Sequence, residues 1–129
     1  MDESTTSKKD VVLTPFDYTL SIIGGKWKMK IMYQLAFHGI TRYGELKRRV
    51  SGITYKVLTA QLSDLESNGI IQRVEYDQSP PKVEYSLTSR GQSLMPILEE
   101  ICKWGVHNVE ESQGNKGDKP HTITVGDYL

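Results

Sequence analysis

The residues best equipped for chemistry lie between Thr54 and Ser63. Tyr55, Lys56, Thr59, Ala60 and Ser63 supply a phenol, an ammonium, two hydroxyls and a methyl, and no acid appears until Asp64. Such groups donate and accept hydrogen bonds without repelling an anion. They complement the edges of base pairs in the major groove of a duplex. They do not suit bond-breaking. The chain shows no nucleophile–base pair, no phosphate-cradling glycine loop and no converging carboxylates, so no catalytic site is expected. His38, His107 and His121 lack metal-ligand spacing, and no metal or cofactor is expected. The single Cys102 excludes an intrachain disulfide and a cysteine-based zinc cluster. Among Leu98, Ile101 and Trp104 it is expected to act as a small buried hydrophobe.

A helix must hold the polar set in place. Val57, Leu58, Leu62 and Leu65 recur at steps of three and four, which stacks them on one helical face. Thr54 is a suitable N-cap and Gly69 a suitable left-handed residue past the end. An ordinary amphipathic helix with a solvated outer face has the same pattern, so its neighbours matter. Arg42 to Val50 is expected to be a short helix, with Tyr43, Leu46 and Val50 inward and Lys47, Arg48 and Arg49 outward. Ser51-Gly52 breaks it. Two helices joined by a tight glycine turn, the second with a basic outer face, form a helix-turn-helix. Ile70 to Tyr76 and Lys82 to Leu87 are expected strands around a Pro80-Pro81 loop, with Val83, Tyr85 and Leu87 on one face. A hairpin at this position is a wing. A hairpin packed for stability alone would look similar.

The flanks are more apolar. Phe16 to Ala36 is expected to be one long helix with the stripe Leu20, Ile23, Trp27, Ile31 and Leu35. Gly24-Gly25 within it implies a bend or a close backbone approach. Lys26, Lys28 and Lys30 suit either phosphate or solvent. Thr88 should cap a last helix from about Ser89 to Glu111, kinked at Pro96. Its surplus of apolar residues, Leu94, Leu98, Ile101 and Trp104 among them, marks a dimer element. Folding back on the core is the competing explanation. Trp27, Tyr33, Phe37 and Trp104 could line a small-molecule pocket, and core packing accounts for them equally.

At 129 residues the chain is expected to form one domain, 13–111, after a disordered arm at 1–12 and before a polar tail at 112–129. Sixteen basic and sixteen acidic residues cancel, but they are not evenly spread. From Lys26 to Lys56 eight basic residues face the single acid Glu45; from Glu99 onward six acids face three lysines. That asymmetry suggests a basic working face. Neither a signal peptide nor a spanning segment is evident, so a cytoplasmic protein without membrane partners is expected.

Several motifs in order carry a family resemblance. They are Ile23-Gly24-Gly25-Lys26-Trp27, Arg42-Tyr43-Gly44-Glu45-Leu46, Gly52-Ile53-Thr54 and Lys56-Val57-Leu58-Thr59. Gly69-Ile70-Ile71, Pro80-Pro81-Lys82-Val83-Glu84-Tyr85-Ser86-Leu87-Thr88 and Trp104-Gly105 complete the set. Across roughly 15–105 the chain resembles the HxlR-type regulators, small bacterial winged helix-turn-helix proteins related to the MarR type. The resemblance implies an α+β, mainly α, winged helix-turn-helix fold. It implies a homodimer built from the first and last helices, with Leu20, Leu94, Leu98, Ile101 and Trp104 at the interface. Its partner would be double-stranded operator DNA, with Thr54, Tyr55, Lys56 and Thr59 at the groove and Lys82 near phosphate or the minor groove. Arg42, Lys47, Arg48 and Arg49 suit phosphate, which positions without specifying sequence. The expected function is transcription regulation, as a repressor rather than an activator, relieved by a small-molecule effector. A winged-helix interaction module without DNA binding is the alternative. Two positions depart from the family pattern. Thr14 stands where many relatives carry a sensing Cys, which excludes redox sensing by that route. Tyr55 stands where Gln or His is frequent, so operator preference should differ.

Overall fold

The computed structural model describes residues 13–114, with side chains through residue 109. The helices are α1 (Pro15–Ile23), α2 (Lys28–His38), α3 (Tyr43–Arg49), α4 (Tyr55–Ser67), α5 (Ser89–Gln92) and α6 (Met95–Gly114). The strands are β1 (Thr41–Arg42), β2 (Ile71–Tyr76) and β3 (Lys82–Leu87). The proposed arm at 1–12 lies outside the described residues. So does the tail beyond Gly114, and α6 runs past the helix end expected at 111.

The expected long first helix is two helices. Thr14 caps α1, its Oγ1 accepting from the Asp17 N–H at 3.0 Å, and Pro15 occupies the first turn, where no N–H is needed. Gly24 ends it. Its N–H donates to the Leu20 carbonyl at 2.7 Å, and a Cβ at Gly24 would stand 2.4 Å from that oxygen. Gly25 then takes φ +98°, a left-handed conformation that favours glycine. The apolar stripe survives the break because both helices pack on one core. Of its α1 members Ile23 is buried, but Leu20 is 45% exposed and Ile22, which the stripe did not include, is buried in its place.

The centre of the core is formed by Ile31 and Met32 of α2, Leu46 of α3, Leu58, Leu62 and Leu65 of α4, Ile70, Ile71 and Leu98. Each such side chain stabilises the fold by about 1.5–3 kcal/mol through burial. The three leucines of α4 therefore anchor that helix and fix which face remains outside. The sheet is antiparallel in the order β1-β3-β2, with Thr41 opposite Tyr85 and the hairpin paired from Ile71–Leu87 to Tyr76–Lys82. Only the base of β2 is buried, at Ile71; Val74 and Tyr76 are each 40% exposed. The hairpin thus projects from the body as a wing.

Three polar contacts hold α4 in register. Lys28 pairs with Asp64 at 3.1 Å, joining α2 to α4. Thr88 caps α5 by accepting from the Gly91 N–H at 3.0 Å, and its hydroxyl lies 2.6 Å from the Gly69 carbonyl oxygen. Arg90 Nε donates to the Asn68 carbonyl at 3.0 Å, and Asn68 is the C-cap of α4. Gly91 lets α5 approach: a Cβ there would stand 2.2 Å from the Ile70 carbonyl oxygen.

The last helix also differs from expectation. Pro96 does not kink a continuous helix; it lies in the first turn of α6, where its missing N–H costs nothing. Turn hydrogen bonds from Leu94 N–H to Gly91 and from Ile97 N–H to Leu94 separate α5 from α6. Leu98 was expected at a dimer face, but it is 1% exposed and belongs to the core of its own chain. Leu94 is half-buried against that core. Ile97, Ile101 and Trp104 are the large apolar residues that α6 leaves exposed, Trp104 at 69%. Among the described residues no helix is long and apolar enough to cross a membrane.

Candidate nucleic-acid interface

Local sequence explains how α4 presents its outer face. Thr54 is extended, at φ −86° and ψ 162°, and its Oγ1 accepts from the Val57 N–H at 3.1 Å. That cap occupies an oxygen lone pair and leaves the hydroxyl hydrogen for an outside acceptor. Gly69 takes φ +74° just past the helix, as its position predicts. With Leu58, Leu62 and Leu65 inward, Tyr55, Lys56, Thr59, Ala60 and Ser63 are all exposed. The structure therefore brings Thr54, Tyr55, Lys56 and Thr59 together on the first two turns.

The α3 helix braces this face through a residue that sequence periodicity assigned inward. The Tyr43 ring stacks on Tyr55, with centroids 6.1 Å apart and planes 11° from parallel. Its hydroxyl lies 3.2 Å from the Tyr55 carbonyl oxygen and 2.7 Å from Thr59 Oγ1. The carbonyl can only accept, so when the phenol donates there the Thr59 hydroxyl donates to the phenol. Thr59 then keeps its lone pairs for a donor outside the chain. From α3, Lys47 Nζ sits 4.6 Å from the centroid of the Tyr55 ring, adding a cation–π contact. A polar-tipped aromatic at the start of α3 was the available hint of this role for Tyr43.

The other cations divide into two groups. Arg48 and Arg49 both pair with Glu45, Arg49 at 3.0 Å, so two guanidiniums share one carboxylate and a positive charge remains. Arg42 is exposed and lies opposite Glu84 in the sheet register. Lys82 pairs with the same Glu84 at 3.6 Å and stands 4.5 Å from the Tyr76 ring centroid. It occupies the last paired position before the loop, at the tip end of the wing. The Glu84 carboxylate also hydrogen-bonds the Tyr76 phenol and raises its pKa. The wing cations are thus partly offset, while Lys47, Arg48 and Arg49 leave the end of α3 with a net positive charge.

The three early lysines separate as well. Lys28 is turned toward Asp64. Lys26 and Lys30 are exposed and lie 4.7 Å and 5.2 Å from the Trp27 ring centroid. That ring reaches within 4.0 Å of where a Cβ on Gly52 would stand, beside the turn leading into α4. The four aromatics considered for a pocket do not gather. Trp27 and Phe37 stand at opposite ends of α2, about 15 Å apart at 1.5 Å per residue. Tyr33 is buried, while Phe37 and Trp104 are exposed.

The geometry is that of a helix-turn-helix with a hairpin wing, basic on α3 and free of acid on the first two turns of α4. Residues 22–113 match the family model described as HxlR-like helix-turn-helix. The chain belongs to that family. One relative is the HTH-type transcriptional regulator BH0655 of Halalkalibacterium halodurans. It is 56% identical over 108 residues, covering 84% of this chain and 96% of the relative. Among solved structures, the HTH-type regulator ytcD superposes with a TM-score of 0.72 at 46% identity, covering 76% of this chain and 99% of that one. The redox regulator HypR in its oxidized form superposes at 0.70 and 45% identity, covering 74% and 97%. The HxlR-family fold here is the winged helix-turn-helix that the sequence motifs imply.

Proposed function

We propose that this HxlR-family chain, a DNA-binding transcription regulator, acts as a homodimeric repressor whose operator affinity responds to an effector. The observation that carries the proposal is the exposed Tyr55–Lys56–Thr59 face, held by Tyr43 on a helix anchored by three buried leucines. Tyr55, Lys56 and Thr59 read base edges. Thr54 faces the groove beside them, and Lys47, Arg48 and Arg49 meet phosphate, with Arg42 and Lys82 serving the wing side. Pairing through α1 and α6 is supported by the exposure of Leu20, Ile97, Ile101 and Trp104. A two-fold pair would place its heads on half-sites about 34–36 Å apart. A shift of a few ångströms would spoil the fit to both. Effector response is supported by the similarity to HypR, which is itself named a redox regulator. In this chain Thr14, which caps α1, stands where the family resemblance puts a sensing Cys, so the trigger does not act through that position.

Salt dependence of duplex binding tests the proposal. Affinity for a random-sequence duplex should fall steeply with added salt, with a log–log slope of about −0.9 per phosphate contacted. Lys56→Ala with Thr59→Ala should abolish preference for a selected site while the dimer persists. Little duplex binding at any salt would instead favour a protein-interaction module.

A further inference from the structure

Between α1 and the α5–α6 junction lies a cavity of about 100 Å³, open on one side. Ile22, Ile70 and Leu94 make its apolar wall, and Tyr18 and Arg90 stand at its rim. Arg90 Nη2 donates to the Tyr18 phenol oxygen at 2.7 Å and Nε donates to the Asn68 carbonyl at 3.0 Å. These two bonds engage two of the five guanidinium N–H groups. No acidic side chain lines the cavity. A fixed cation with unused donors, beside an apolar hollow and without a counter-charge, is suited to an anion with an apolar body. An apolar protein cavity of about 150 Å³ holds one benzene ring, so this smaller hollow takes a short branched chain whole and a single ring only in part, through its open side. A doubly charged phosphate would call for a second cation, and the lining supplies none.

We infer that this cavity binds a small organic monocarboxylate, its single ring or short branched chain against Ile22, Ile70 and Leu94 and its carboxylate on Arg90. The same guanidinium joins the C-cap of α4 to Tyr18 of α1. A carboxylate drawing Arg90 toward itself competes with the Asn68 carbonyl and the Tyr18 phenol, and so loosens the link between the DNA-facing helix and α1. This coupling rests on the effector-responsive regulator proposed above; the binding itself does not. By linkage, duplex that favours the tight arrangement must weaken carboxylate binding by the same factor.

The test is titration of the full chain with benzoate and with its neutral analogue benzamide, followed by calorimetry and amide NMR. Benzoate should bind saturably, about tenfold more tightly than benzamide, with shifts centred on Tyr18, Ile22, Ile70 and Leu94. Arg90→Gln should erase the preference for the anion. Thr19→Leu, which fills the cavity without removing the cation, should weaken both probes and guards against Arg90→Gln failing to fold. No saturation by benzoate, equal affinity for benzamide, or shifts on another surface would overturn the site. Saturable benzoate binding that leaves duplex affinity unchanged would uphold the site and overturn the coupling.

Discussion

The Tyr43 phenol oxygen lies 2.7 Å from Thr59 Oγ1, so the first helix of the motif is bonded to an exposed residue on the outer face of the second. Tyr43→Phe keeps the ring stacked on Tyr55 and removes this bond. The loss should lower stability by about 1 kcal/mol, or a Tm shift of roughly 4–8 °C. It should also relax base preference at the position read by Thr59. Thermal unfolding and a site-by-site binding series check both effects.

Arg48 and Thr59 should fail differently when truncated. Thr59→Ala should cost about 1–3 kcal/mol of discrimination at one base pair. Arg48→Ala should weaken binding to all sequences alike and flatten the salt slope by about one unit. Glu45 would retain Arg49, so the fold should tolerate the change. Anisotropy titrations at several salt concentrations distinguish the two outcomes.

Two glycines should respond with opposite signs. At Gly91 a Cβ would lie 2.2 Å from the Ile70 carbonyl oxygen, so Gly91→Ala must push α5 from the hairpin base. A loss of about 1–3 kcal/mol is expected, as for other overpacked sites. At Gly105, inside α6, a Cβ would meet nothing within 4 Å, and Gly105→Ala should stabilise by about 0.5–1 kcal/mol. Chemical denaturation measures both.

Much of the DNA-facing motif was legible in the chain because its determinants are local. The Thr54 cap, the leucine spacing and Gly69 all act within a few residues of α4. The same local logic misread the first helix, because a continuous apolar stripe does not reveal that a side chain at Gly24 would strike the Leu20 carbonyl. It misread the last helix too, since Pro96 suits a first turn as well as a kink. Tyr43 and Arg90 act on residues 16 and 22 positions away, Thr59 and Asn68, and such pairings appear only after the elements are packed. The burial of Leu98 has the same origin: α6 rotates it toward the core and turns Ile97, Ile101 and Trp104 outward.

Stability should fall on the alkaline side through Tyr33. Burial raises the pKa of its phenol, and the hydrogen bond with Cys102 raises it further. The folded chain therefore keeps this proton at a pH where the unfolded chain, with a phenol pKa near 10, releases it. Stability is fully present below about pH 10 and declines above it, because the unfolded state then binds fewer protons. Tyr33→Phe should flatten that decline. Tm measured from about pH 8 to pH 11 in both proteins checks the sign.

Selection of bound duplexes from a random pool tests the central claim most directly, since it asks whether the Tyr55–Lys56–Thr59 face reads sequence as a symmetric pair. Two inverted half-sites with centres about 10–10.5 base pairs apart, or a multiple of that spacing, are expected, and Lys56→Ala with Thr59→Ala should erase them. An unenriched pool, or a consensus unchanged in that double variant, would contradict the account.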